Sequence, residues 1–396
     1  MKNISARASA VHESTTLAVS ALANQLKAEG KDVISFGTGE PDFDTPEHIK
    51  AAAIKAIQEG KTKYTPAAGL PALRQAICQR LLEDTGVSYE PKQIVVASGA
   101  KHSIYVALCC LLNPGDEVIV PTPYWVTYTE AVGMAGGVPI ILETTDSEGF
   151  KLSPEKLEAA ITPNTKVMIL NNPSKPTGMC YDADELRAVC EVCVKHDLWI
   201  ISDEVYYKLL YDGRTFTSVA ALSEDIKAHT IIVNGVSKSY AMTGWRIGYT
   251  ACEPGLAKVM TNFLSHATSA PSTISQYAAI EALTASQDTV EEMRKVFEER
   301  RNYMASRMNA IDGVSCLVPE GAFYIMMNMK ELVGRTLGGK LIKDGDDFAM
   351  AFLAEKNAAL VPCSGFGAPY FLRWTYAASM EDIKEGLDRL EAFLKE

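Results

Sequence analysis

Leu198-Trp199-Ile200-Ile201-Ser202-Asp203-Glu204-Val205-Tyr206 is the stretch that decides the fold. From Leu198 to Asp203 it is almost free of polar residues until its acidic end. That is the pattern of a strand buried on both faces, and such strands belong to parallel sheets covered by helices. Reading outward, Thr165 to Asn171 and Thr230 to Val236 are further strands, and Asp182 to Lys195 is the helix between the first two, with Asp182 or Asp184 near its N-cap. Ile94 to Ser98, Glu117 to Pro121, Val138 to Glu143 and Ile247 to Ala251 extend the set. Lys101 to Leu112 reads as a helix, and Asn113-Pro114-Gly115-Asp116 as a turn. Strands alternating with helices predict an α/β fold with a mostly parallel sheet.

The texture changes after about residue 285. Glu291 to Ile311 reads as a long charged helix, Ala322 to Met329 and Phe371 to Tyr376 as strands, and Asp346 to Lys356 and Met380 to Lys395 as helices. Three regions are expected: an arm at 1–45 that includes part of a small domain, a large domain at 46–285, and a small α+β domain at 286–396. The helix Thr16 to Gly30 is too small for a domain of its own and is expected to pack on the C-terminal part.

Lys and Arg number 38 against 49 Asp and Glu, a net charge of −11, which speaks against nucleic acid or an anionic membrane as partner. No apolar run approaches the ~20 residues that a membrane-spanning helix needs. Nine scattered cysteines do not form a disulfide framework, so a soluble, reducing, cytoplasmic setting is expected. Gly334 to Lys340 resembles a phosphate loop, but Leu341 stands where a metal-binding hydroxyl is needed, and an ordinary flexible loop is expected. Cys190 and Cys193 are neighbours on one helix face but His196 is rotated away from them, so no metal site is expected there.

Chemistry concentrates in four segments: Asn171-Asn172-Pro173-Ser174-Lys175-Pro176-Thr177-Gly178, the strand end at Asp203-Glu204-Val205-Tyr206, Ser237 to Gly248 around Lys238 and Arg246, and Phe371-Leu372-Arg373-Trp374. A lysine after a buried strand can lose its proton by desolvation and become an imine-forming nucleophile. An Asp ending such a strand can hold a protonated heteroaromatic nitrogen. Arg246 can grip a phosphate bidentately.

With Gly39-Glu40-Pro41-Asp42-Phe43 and Pro123-Tyr124-Trp125 added, the chain resembles, over essentially its whole length, the pyridoxal-phosphate-dependent aminotransferases of fold type I, close to bacterial aspartate aminotransferases. The resemblance implies pyridoxal 5′-phosphate as cofactor, held as an imine by Lys238. Lys238 also shuttles the substrate proton, Asp203 pairs with the ring nitrogen, and Tyr206 donates to the phenolate. Trp125 stacks on the ring; Gly99, Ala100, Lys101, Ser237 and Arg246 receive the phosphate, and Tyr64 reaches the phosphate of a neighbouring subunit in a homodimer. Arg373 grips the substrate α-carboxylate beside Gly39, while Lys101 and a hydroxyl of the Ser14-Thr15-Thr16 segment, Thr16 among them, take a distal carboxylate. L-Aspartate or L-glutamate with a 2-oxo acid, in a ping-pong cycle, is the expected chemistry. An aromatic or prephenate aminotransferase and a C–S lyase are the alternatives on the same scaffold. A cofactor-binding protein with little turnover is the alternative outside catalysis.

Four positions depart from the family pattern. Lys175 stands where the family carries an asparagine that bonds the cofactor phenolate, so it enters the cofactor-binding set as a tuning cation or a second amine. Gly235 replaces a frequent serine, Ala270 a frequent asparagine, and Trp374 a smaller residue; together they leave room for an altered substrate range.

Overall fold

Seven strands form the central sheet of the computed structural model, which describes residues 4–12 and 15–395. Their order across the sheet is Ile94–Ala97, Gly248–Ala251, Thr230–Gly235, Trp199–Asp203, Thr165–Asn171, Glu117–Pro121 and Val138–Leu142. The last five of these are mutually parallel; Gly248–Ala251 runs antiparallel to both of its neighbours. The α/β expectation is met, and the strands start and stop within a residue or so of the positions read from sequence.

Alternate side chains of one strand enter different cores, which is why these strands lack a polar face. Val167, Ile169 and Ile201 pack on one side with Val118 and Val120 and the helix Ala100–Leu111. Met168, Leu170 and Ile200 pack on the other with Ile119 and the helix Ala183–Lys195. Asp182 caps that second helix, accepting from the amides of Asp184 and Glu185.

A three-stranded antiparallel sheet, ordered Val361–Pro362, Phe371–Thr375, Tyr324–Asn328, follows the long helix Asp288–Met308 and is flanked by Gly345–Lys356 and Met380–Leu394. Its core contains Phe323, Phe348, Phe352, Trp374 and Phe393, joined by Tyr206 and Leu209 from just beyond the central strand end at Asp203. The helix Thr15–Ala28 packs here through Ala23, with Val33 beyond its end, against Leu353 and Ala359, and Ile34–Ser35 pairs in parallel with Ala358–Ala359. The longest helices that went unread in the sequence are Glu47–Gln58, Pro71–Thr85, Pro254–Ala267 and Thr273–Thr284.

Gly334 to Lys340 is ordered more tightly than the flexible loop expected. Thr336–Leu337 and Lys340–Leu341 form a hairpin whose two turn residues, Gly338 and Gly339, both have positive φ, the geometry a two-residue turn demands. Cys190 and Cys193 are buried in the core, while His196 turns to Glu158 at 2.7 Å. No helix among the described residues is long and apolar enough to cross a membrane, and the nine cysteines are all free.

Trp374 is fully buried, with its ring centroid 4.7 Å from that of Phe36, and Gly386 packs beneath the pair because a side chain there would strike the Phe36 ring. Trp374→Ala is expected to cost about 3–5 kcal/mol of stability, read as a lowered denaturation midpoint in urea.

Candidate active site

The carboxyl ends of the parallel strands face one cavity of about 260 Å³, the place where sheets of this kind bind ligands. Asp203 is the last residue of its strand, Asn171 ends the next, and Ser237 and Lys238 follow Gly235 within three residues. The antiparallel strand brings its beginning, not its end, to the same edge, and this delivers Arg246. Ala100, Lys101, Trp125, Lys175, Asp203, Tyr206, Ser237, Lys238 and Arg246 all line the cavity.

Lys238 donates from Nζ to the carbonyl of Gly39 at 2.6 Å. Burial lowers its pKa to about 8; Glu40 opposes this, and Arg246 and Arg373 reinforce it. Asp203 is buried, accepting from the Tyr128 hydroxyl at 2.7 Å and from the Val205 amide at 3.3 Å. Burial pushes its carboxyl upward, while the Tyr128 bond, the Val205 amide, Lys175 and Lys238 pull it down. Its neighbour Glu204 turns away from the cavity, held by the Ser202 hydroxyl at 2.9 Å, the Ser218 hydroxyl at 2.8 Å and the Val219 amide at 3.1 Å. Tyr206 shares a hydroxyl–hydroxyl bond of 3.0 Å with Tyr324.

Two residues of this constellation were missed in the sequence, Tyr128 and Tyr324. Tyr128 lies three residues after Trp125 at a helix start, and the two rings meet edge to face with centroids 5.6 Å apart; that spacing was the available signal. Tyr324 lies on the second sheet and carried no local signal.

The helix Ala100–Leu111 points its first amides at the same edge, a favourable place for an anion. Gly99, with φ of 89°, precedes it, and any side chain there would collide with the Arg246 guanidinium. Gly248 touches the Gly99–Ala100 backbone just as closely. These two glycines let Arg246 lie against the helix start, where it donates to the carbonyls of Ser98 (3.2 Å) and Thr243 (2.9 Å).

Arg373 lies fully buried at the other end of the site. One nitrogen, Nη2, donates to the Gly37 carbonyl at 2.6 Å, and the guanidinium lies 4.7 Å from the centre of the Tyr324 ring. Its Nε and Nη1 have no hydrogen-bond partner among the described residues. A buried cation with unused donors is complementary to a carboxylate. Gly39 lies between the two ends: a Cβ there would be 3.3 Å from the Tyr324 hydroxyl and 3.7 Å from Lys175 Nζ. Lys101 and Lys175 are 5.1 and 4.8 Å from the centre of the Trp125 ring.

Tyr64 is not brought to this cavity; it is fully solvent-exposed on its own chain. Ser14 lies outside the described residues, as does the side chain of Thr16. Two of the substitutions thought to widen substrate range do something else. A Cβ on Gly235 would approach the Ile247 carbonyl to 2.8 Å, so the close antiparallel strand requires glycine. Trp374 belongs to the hydrophobic core, because strand alternation turns it to the opposite side from Arg373.

Burial penalises the ammonium of Lys238, so its nucleophilic form gains population as pH rises through about 8. Reductive alkylation of Lys238 in cofactor-free protein with formaldehyde and a mild borohydride, mapped by peptide mass, is expected to titrate with that midpoint. A midpoint near the ordinary lysine value of 10.5 would contradict the electrostatic account.

The family model "Aminotransferase class I and II" matches residues 31–390. An aspartate aminotransferase of Geobacillus stearothermophilus is 49% identical, with 98% of each chain covered. An asparagine–oxo-acid transaminase of Streptococcus mutans is 45% identical, with both chains covered completely. Among solved structures, the aspartate aminotransferase of Rhizobium meliloti superposes with a TM-score of 0.97 at 44% identity, covering 100% of this chain and 99% of that one. That of Thermus thermophilus with maleate gives 0.93 at 39% identity, covering 99% and 100%. With a half-buried lysine, an aspartate and an arginine set around one cavity and likeness running from end to end, the chain belongs to the class I and II aminotransferases.

Proposed function

We propose that this aminotransferase binds pyridoxal 5′-phosphate and exchanges the amino group of L-aspartate or L-glutamate with a 2-oxo acid, as a cytoplasmic homodimer. One observation carries the reading: a cavity lined by a weakly basic, partly buried amine, Lys238, and a buried carboxylate, Asp203, lies within electrostatic reach of a buried arginine with unspent donors, Arg373. The residues fit the cofactor. The helix start at Ala100, Ser237 and Arg246 suit its phosphate, Asp203 its ring nitrogen, Tyr206 its phenolate oxygen and Trp125 its ring face. When bound, that group supplies an aldehyde for condensation with amines and a ring that absorbs negative charge from the substrate Cα.

The chain's own residues do the rest. Arg373 binds the α-carboxylate and orients the substrate. Lys238, with a pKa of about 8, holds a free amine at a useful population near neutrality, so its Nζ can take the Cα proton and return it on the other side of the exchange. Asp203, steadied by the Tyr128 hydroxyl, is placed to hold a positive ring nitrogen. The two half-reactions share these groups, so the amino donor leaves as a 2-oxo acid before the acceptor enters.

Dicarboxylate preference is supported by the surplus of cations and by relatives named for aspartate. Lys101, at the helix start beside Trp125, is the candidate for the distal carboxylate. Exposed Tyr64, with no role on its own chain, suits a site completed by a second copy.

Adding L-aspartate alone to the yellow holoenzyme should convert the long-wavelength absorbance band to that of the amine form, with oxaloacetate released stoichiometrically. No spectral change with aspartate or glutamate would overturn the assignment, and pyruvate release from cystathionine without an acceptor would replace it with a lyase. Lys101→Ala should raise KM for aspartate roughly tenfold or more while leaving an apolar amino acid little changed; equal effects would remove the distal role.

A further inference from the structure

Lys238 and Arg246 belong to one loop, which joins the strand Thr230–Gly235 to the antiparallel strand Gly248–Ala251. That loop is bent twice into an unfavourable shape. Ala241 has φ of 49° and Arg246 has φ of 57°, both in the left-handed region, and neither is glycine. The loop's own backbone bonds are long: Met242 to Ser237 at 3.2 Å, Tyr240 to Val236 and Trp245 to Met242 at 3.3 Å, and Ala241 to Lys238 at 3.4 Å. Buried Tyr240 and Met242 anchor it in the core, but apolar packing is non-directional. Backbone strain of this kind persists only where the surroundings hold it in place.

Directional contacts come from a segment far earlier in the chain, Gly39 to Thr45. The Thr45 hydroxyl donates to the Ala241 carbonyl at 2.6 Å and accepts from the Trp245 indole nitrogen at 2.9 Å. One hydroxyl thus ties the first left-handed residue to the residue just before the second. Glu40 accepts from the Thr243 hydroxyl at 2.6 Å, and the Thr243 carbonyl accepts from Arg246 Nη1 at 2.9 Å. All these bonds are shorter than those within the loop. The segment is itself backed by the helix Asp288–Met308: Asp42 accepts from Arg300 at 2.8 Å, and the Phe43 and Phe297 rings meet edge to face with centroids 5.4 Å apart.

We propose that Thr45 is a positioning residue for the cofactor phosphate, its hydroxyl bridging Ala241 and Trp245 so that Arg246 stays against the first amides of the helix Ala100–Leu111. The proposal rests on the reading of Arg246 and that helix start as the phosphate site. Thr45 does not line the cavity and acts only through the loop. With the hydroxyl in place, the Trp245 indole is pinned and the Arg246 side chain leaves the backbone in a fixed direction, toward Ser98. Without it, Ala241 and Arg246 relax toward ordinary φ, and the guanidinium loses its aim. A donor that must be re-aimed binds an anion less well than one already placed. Glu40 shares in this hold but also acts on the charge of Lys238, so Thr45 is the cleaner position to alter.

The test titrates the full chain, freed of cofactor, with pyridoxal 5′-phosphate and with pyridoxal, which lacks the phosphate, following each by its absorbance. The ratio of the two Kd values isolates what the phosphate contributes. Thr45→Val keeps the side-chain shape and removes the hydroxyl. It is expected to weaken pyridoxal 5′-phosphate roughly tenfold while leaving pyridoxal within about twofold of wild type. Thr45→Ser keeps the hydroxyl and should restore the wild-type ratio. A wild-type ratio in Thr45→Val with unchanged affinities overturns the proposal. So does an equal loss for both ligands, the mark of a generally loosened site. A ratio in Thr45→Ser as low as that in Thr45→Val overturns it too, because the hydroxyl is then not what matters. The underlying reading fails separately: if wild type binds the two ligands equally, Arg246 and the helix start are not the phosphate site, and if it binds neither, the cofactor assignment falls.

Discussion

One electrostatic constraint governs the molecule: a lysine's ammonium must be disfavoured and an aspartate's carboxylate supported within a single cavity. Desolvation alone would neutralise both, since it penalises whichever form carries charge. The chain separates the two outcomes by what it places around each group. Asp203 receives a hydroxyl donor from Tyr128, a backbone amide and two neighbouring amines. Lys238 receives the Gly39 carbonyl and the pull of Glu40 and Asp203, against burial and two arginines. The pairing of an anionic anchor with a nucleophilic amine follows from these neighbours rather than from either residue alone.

The sheet makes those neighbours available. Parallel strands collect their carboxyl ends on one edge, so residues distant in sequence emerge side by side. The antiparallel strand Gly248–Ala251 breaks the pattern usefully, because only a reversed strand could bring Arg246 to that edge immediately before it begins. Gly99, Gly235 and Gly248 permit that strand's close fit against the helix start and its neighbour.

Most of this was legible in the sequence where signals were local. Unbroken apolar strands such as Trp199–Asp203 announced the parallel sheet, and the residues just beyond them announced the site. What was not legible depends on long-range placement. Tyr324 reaches Tyr206 from the second sheet, and nothing in Gly321-Ala322-Phe323-Tyr324 signals a hydroxyl aimed there. The helix Thr273–Thr284 is alanine-rich and buried around much of its circumference, so it lacks the amphipathic stripe that periodicity detects. Trp374 and Gly235 looked like variations of the site because they adjoin site residues in sequence. Strand alternation and a close backbone contact assign them to packing instead.

The solitary guanidinium of Arg373 has a thermodynamic corollary. A cation sealed from water with two donors idle subtracts from the stability of the unliganded chain, and any anion that binds there returns what was lost, in proportion to RT ln(1 + [L]/Kd). Heat resistance measured for this protein is thus partly a property of its solution: millimolar dicarboxylate carried through purification will make the fold look sturdier than the polypeptide is by itself.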